Sequence, residues 1–200
     1  VSSQVYFSKA HYTNKDLILQ AVAATRDTVL VNLDCAPVLS VFHANSGGMT
    51  VNSEDVWLQA VPELKARSDS FSIGVGSYQW QKRIEAQKFF SYFARMFGVK
   101  NDEQLQKALL NFDQDKRETH FSYEGKRLKL TKVRQDFRLR STFFSVDLEG
   151  DEIVLNGKGY GHGVGLAQDG AIEMSKRGYQ YESILRQYFT DVELECLRFV

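Results

Sequence analysis

Apolar residues recur at helical spacing in KDLILQAVAATR (15–26), where Leu17, Ile18, Ala21, Val22 and Thr25 line up on one face. Asn14 stands at the N-cap position and Asp16 in the first turn, so the pattern predicts a helix. DTVLVNL (27–33) and PVLSVFHAN (37–45) then alternate or run apolar on either side of the turn residues DCAP, which predicts a hairpin. Regularity breaks at SGGMTVNSEDVW (46–57), and residues 65–80, polar with Gly74 and Gly76, read as a long surface loop. RIEAQKFFSYFARMFG (83–98) carries aromatics at 89, 90, 93 and 97, the face of a helix ending at Gly98, and DEQLQKALLNF (102–112) predicts a further short helix. From 118 to 157 the segments THFSYEG, RLKLTKVRQDF, STFFSVDLEG and DEIVLNG predict strands, and AIEMSKRG and YESILRQYF two closing helices. The class is α+β: antiparallel sheets with peripheral helices in a single domain over 1–200, with 70–115 as a helical insertion or subdomain.

The pattern fails to explain LNGKGYGHGVGLAQDGAIEMSKRGY (155–179). Glycines fall at 157, 159, 161, 163 and 165, with Lys158, Tyr160, His162 and Val164 between them. On an extended backbone one face would be bare and those four side chains would share the other. A bare face admits close approach of a second backbone or a ligand, at a high entropic cost. The dinucleotide fingerprint fails on spacing, and a P-loop fails because Leu166 and Ala167 follow Gly165. Gln168 and Asp169 open a helix whose free N–H groups fall near His162. Tyrosine, histidine and an amide on a tight turn suit a polar, hydroxyl-rich ligand; the plainer alternative is a glycine corner with His162 satisfied in the core. FHANSGGMTVNSEDVW (42–57) offers a second polar, glycine-broken loop, whose plainer alternative is a turn with solvated Glu54 and Asp55 and a core Trp57. Two such loops in one small domain predict one cleft, with Ser46–Glu54 facing Tyr160–Gln168 across a substrate groove.

Charge narrows the partners. Lys plus Arg and Asp plus Glu both number 25, and the resulting zero net charge argues against a general nucleic-acid binder. No run approaches the roughly 18 apolar residues of a membrane span. Val1 rather than methionine opens the chain, which reads as a processed or trimmed product. Cys35 and Cys196 belong to no CxxC or Cys/His cluster, so no metal or other cofactor is expected. They are read as buried thiols, with one long-range disulfide as the alternative.

At SQVY (3–6), AVAATRDTVL (21–30), FHANSGGMTVNSEDVW (42–57), STFFSV (141–146) and GKGYGHGVGLAQDGA (157–171) the chain resembles the stage II sporulation protein D and amidase-enhancer family of bacterial cell-wall proteins. The order and spacing agree along nearly the whole chain. The resemblance implies a lytic transglycosylase acting on peptidoglycan glycan strands from which an amidase has removed the stem peptides. An N-acetylmuramoyl-L-alanine amidase is the implied protein partner, and the implied location is extracytoplasmic, in the periplasm or cell envelope. Such chemistry needs a carboxylic acid kept protonated near neutral pH, beside a centre that becomes oxocarbenium-like. The family's glutamate lies upstream of SQVY, before a helix that nothing here matches, so the acid is expected outside these residues. Some relatives bind zinc just ahead of QVY; Ser2 and Ser3 occupy that neighbourhood here.

The remaining roles follow from the resemblance and the residue types. Tyr160 is expected to stack on a sugar face, His162 and Gln168 to hydrogen-bond hydroxyl or acetamido groups, and Ser46 and Asn52 to do so from the opposite wall. Gly47, Gly48 and Gly163 keep the backbone close to the ligand. Glu54 is the candidate replacement for the acid, against its reading as a solvated helix cap. The alternative function is a non-catalytic glycan-binding module or a stimulator of a cell-wall amidase.

Overall fold

The computed structural model describes residues 14–196; SQVY, Ser2, Ser3 and His11 lie outside the described residues. In chain order the elements are α1 (Lys15–Ala24), β1 (Thr28–Asn32), β2 (Phe42–His43), α2 (Ser53–Val56), a 3-10 turn (Ser70–Ser72), β3 (Gln79–Glu85), α3 (Ala86–Phe97) and α4 (Glu103–Leu110). They continue with β4 (His120–Tyr123), β5 (Lys126–Lys129), α5 (Leu130–Asp136), β6 (Phe143–Glu149), β7 (Glu152–Lys158), β8 (Leu166–Ala167), α6 (Gln168–Lys176), α7 (Tyr181–Tyr188) and β9 (Val192–Cys196). The class is α+β, and among the described residues no sheet closes into a barrel. β3–β7–β6, β4–β5 and β1–β9 are antiparallel, and the short β2–β8 pair is parallel. No helix among the described residues is long and apolar enough to cross a membrane.

Two hydrophobic clusters hold these elements. In the first, Phe89, Phe90, Phe93 and Phe97 of α3 pack on the inner face of the three-stranded sheet, formed by Trp80, Ile84, Phe144, Val146, Ile153 and Leu155. Gly98 ends α3 in the left-handed conformation at φ 65°, as an αL cap requires, and Asp102 caps α4 by accepting from Leu105 N at 3.1 Å. The stretch expected as a helical insertion, 70–115, thus contains β3 as well as α3 and α4. The second cluster joins Val51 and Leu64 to Val164, Ala167, Met174, Ile184, Tyr188 and Val192. Gly157 belongs to the sheet of the first cluster and Val164 to the second, so the glycine run is the join between two cores.

Several expectations need correction. The predicted hairpin turns at Cys35 (φ 57°) and forms the single bridge Val31↔Pro37, but its second arm leaves after Val38. The other edge of β1 is taken by β9, from Thr28↔Cys196 to Asn32↔Val192, a distant partner that periodicity cannot reveal. RLKLTKVRQDF is strand only to Lys129 and then becomes α5; Leu128 and Leu130 fit a period of two, while Leu130, Val133 and Phe137 fit a helix. Residues 65–80 are not simply surface, because Asp69 and Ser72 are fully buried. Both cysteines are exposed free thiols rather than buried or bonded to each other.

Candidate functional site

Only Gly157 of the glycine run lies in a strand; Gly159, Gly161, Gly163 and Gly165 all have positive φ. Lys158, Tyr160, His162 and Val164 therefore do not share the face that an extended backbone would give them: Tyr160 is exposed and Val164 fully buried. What the glycines admit is a second backbone. A Cβ on Gly159 would stand 2.8 Å from both the Asn45 carbonyl oxygen and the Gly47 nitrogen, and one on Gly161 would stand 2.7 Å from the His43 Cβ.

The two polar loops are zipped together. Asn45 and Tyr160 exchange both backbone hydrogen bonds (3.0 and 2.8 Å), Val51 N donates to the Gly163 carbonyl (2.9 Å) and Asp169 N to the Ala44 carbonyl (2.9 Å). Beneath them the buried Asn45 amide donates to the Ser72 and Val75 carbonyls and to Asp169 Oδ2, while its oxygen accepts from Gly47 N at 2.8 Å. The loops thus build one continuous surface instead of two walls facing across a gap.

That surface is aromatic and imidazole-rich. The His162 ring lies between Trp57, 5.0 Å away between centroids, and His43, 5.5 Å away. Trp57 is 37% exposed and so is not the core residue of the plainer alternative, and Tyr160, two positions before His162, is 44% exposed. Both nitrogens of His162 are committed to backbone: Nε2–H donates to the Phe42 carbonyl (3.0 Å) and Nδ1 accepts from Val164 N (3.1 Å). His162 therefore offers its ring to a ligand rather than a free hydrogen-bonding nitrogen. His43 is buried with Nδ1–H on the Val164 carbonyl at 3.1 Å, and its Nε2 has no partner among the described residues. Burial, and after it the charge of Arg117, pushes the His43 pKa down to about 3. Burial, with Arg134 and Arg117 adding to it, pushes that of His162 down to about 4, so both rings are neutral at pH 7.

The other residues expected in the site divide by exposure. Gln168 is exposed at the start of α6, whereas Ser46 is fully buried and gives its hydroxyl to Asp69 Oδ2 at 2.7 Å. Asn52 is turned inward, accepting from Ala66 N (2.9 Å) and donating to Asp55 Oδ2 (3.1 Å). Gly47 (φ 74°) packs against the Lys158 backbone, Gly48 (φ 102°) against Ile73, and Gly163 (φ 86°) against the Arg117 guanidinium. Glu54 pairs with Lys65 at 3.5 Å and accepts from Ser53 Oγ at 3.2 Å. Its own backbone N–H, with Lys65 and Ser53, holds its carboxyl below the ordinary range, the opposite of what a proton donor needs. Among the described residues no cluster of three His, Cys, Asp or Glu side chains is placed to hold a metal.

Sequence reasoning missed Asp69, Arg117 and the exposure of Trp57. Asp69 sits among serines in a polar stretch and Arg117 in the charge run DQDKRE, and neither position carries a signal that a solvated residue would lack. Trp57 closes the 42–57 motif, and that motif was the available clue.

These features define an α+β protein with a glycine-built corner that presents aromatic and imidazole rings to solvent. No family model matches the chain. Over 96% of its length it is similar to stage II sporulation protein D of Bacillus subtilis (strain 168) and of Bacillus amyloliquefaciens, at 29% identity to each. It is 24% identical, again over 96% of the chain, to the amidase enhancer of Bacillus subtilis. The chain spans 57% of the length of the two sporulation proteins and 34% of the amidase enhancer. The similarity thus extends over nearly the whole chain and is shared with proteins of both names.

Proposed function

We infer that the corner binds peptidoglycan glycan strands in the bacterial cell envelope and serves their cleavage by lytic transglycosylation. The observation that carries this reading is the exposed Trp57, packed on His162, with the exposed Tyr160 two residues earlier. Aromatic rings with an apolar face and a polar edge suit the alternating C–H faces and hydroxyls of a sugar. Both imidazoles are neutral, and Glu54 is held ionised by its surroundings. None of these three groups is set up to donate a proton to the leaving oxygen.

The 200-residue chain is accordingly expected to bind stem-peptide-free glycan without cutting it, because general acid catalysis contributes about 10²–10⁴-fold. Mass spectrometry of amidase-treated peptidoglycan incubated with the chain should find no new anhydro-ended products. Their appearance would place the acid within these residues, and Glu54→Gln would then be the variant to abolish them. The relative named amidase enhancer favours a second reading, in which the bound strand is presented to an amidase. Faster stem-peptide release by an added amidase, with no glycan cleavage, would support it.

A further inference from the structure

Three arginines surround the corner, and none has a carboxylate partner among the described residues. Arg117 is 7% exposed; its Nη1 donates to the carbonyls of Ser46 (3.2 Å) and Met49 (3.5 Å), its Nε donates to Thr142 Oγ1 (3.2 Å), and its Nη2 is buried with no partner among the described residues. Arg134, half-buried on α5, donates from Nε to the Arg140 carbonyl at 3.3 Å. Arg140 is exposed, with its guanidinium carbon 5.3 Å from the centroid of the Tyr160 ring. Its carbonyl accepts from Gly161 N at 2.9 Å, which fixes this stretch to the glycine run. The ion pairs among the described residues include none of the three.

Overall charge is balanced, so the concentration of unpaired cations at this one corner is local. A buried charge is costly unless it is paired, and like charges held together raise the potential felt by an incoming anion. The fields agree with the geometry: Arg117 and Arg134 both act on His43 and His162. The planar forks of arginine match a carboxylate in two bonds.

The anion follows from the glycan-binding reading, on which this inference rests. In intact peptidoglycan the lactyl group of N-acetylmuramic acid is an amide to the stem peptide. Hydrolysis of that amide by an amidase leaves a free carboxylate on the sugar. We propose that Arg140 and Arg134, with the buried charge of Arg117 behind them, bind this lactyl carboxylate while the sugar rests at Tyr160. The corner then reads the stem-peptide-free state directly, as a charge.

The test compares three probes by isothermal titration at low salt: glycan oligomers from amidase-treated peptidoglycan, the same oligomers with each lactyl carboxylate converted to a methylamide, and chitotetraose. The acid form is expected to bind about tenfold more tightly than the methylamide, a difference of about 1.4 kcal/mol. Arg140→Gln should weaken the acid form to the level of the methylamide and leave the methylamide and chitotetraose unchanged; Arg140→Lys should keep part of the preference. Arg140 is exposed and makes no side-chain hydrogen bond among those described, so these variants keep the fold. Equal affinity of the two muramyl forms for the unmodified protein would overturn the proposal and leave glycan binding standing. Full preference retained in Arg140→Gln would also overturn it. Failure to bind any of the three probes would remove the glycan-binding reading itself, and this inference with it.

Discussion

Replacing Asp69 with alanine is expected to cost about 3–5 kcal/mol of stability, because it orphans several buried donors at once. The carboxylate is fully buried and accepts from Ser46 Oγ (2.7 Å), Tyr188 Oη (3.1 Å), the Ser72 backbone N–H (3.3 Å) and the Ser72 hydroxyl. It thereby ties the loop carrying Ser46 to the 3-10 turn and to α7. Gly170 makes room for this hub, since a Cβ there would stand 2.8 Å from Ser72 Oγ and 3.0 Å from Asp69 Oδ1. Asp69→Asn keeps the shape and loses the charge, and should fall between alanine and the native residue. Urea denaturation of the three proteins measures the series. A loss below about 1 kcal/mol for alanine would mean that the site's foundation lies elsewhere.

Acidification is the second large effect, and its window follows from the two imidazoles. His43 and His162 are held neutral in the fold, at about 3 and about 4, against 6.5 for the unperturbed ring. Below pH 6.5 the unfolded chain binds protons that the folded one refuses, so stability falls with falling pH until the folded values are reached. At pH 5 the combined loss is about 3 kcal/mol, with the share of His162 discounted for its partial exposure. Protonation would place a hydrogen on His43 Nε2, which is buried near Arg117, or on His162 Nδ1, which already accepts from Val164 N. Denaturation midpoints should therefore drop steadily between pH 6.5 and about 4. His162→Gln should flatten part of that slope. A stability unchanged from pH 7 to 5 would contradict the neutral pair.

Elements whose signal is local were legible in the sequence. The aromatic stripe of α3, its stop at Gly98, and the helices after Gln168 and Gln180 all follow from residues within one or two turns. That the glycine run is more than a connector was legible too, because five alternating glycines carry a high entropic cost. Close approach of a second backbone was one of the two readings, but which backbone was not legible. Gly159, Gly161 and Gly165 face residues 41–47, more than a hundred positions earlier, and nothing in the glycine run names that partner. The same distance hid β9 beside β1 and Arg117 beneath Ser46. Ser46 and Asn52 carry the right groups for a sugar, but their hydrogen bonds are spent on Asp69, Asp55 and Ala66. Trp57, taken in the plainer alternative as core, is half out in solvent because the four-residue α2 ends beside the His162 ring.

Tryptophan fluorescence tests the glycan-binding corner most directly, because the protein has two tryptophans and only Trp57 is exposed, Trp80 being 8% exposed. Titration with stem-peptide-free glycan oligomers is expected to change the emission saturably. Trp57→Phe should abolish the change, and Tyr160→Ala should weaken binding about tenfold while thermal unfolding stays as in the unmodified protein. Glycan binding that leaves Trp57 emission untouched, with affinity unaltered in Tyr160→Ala, would place the strand somewhere other than this corner.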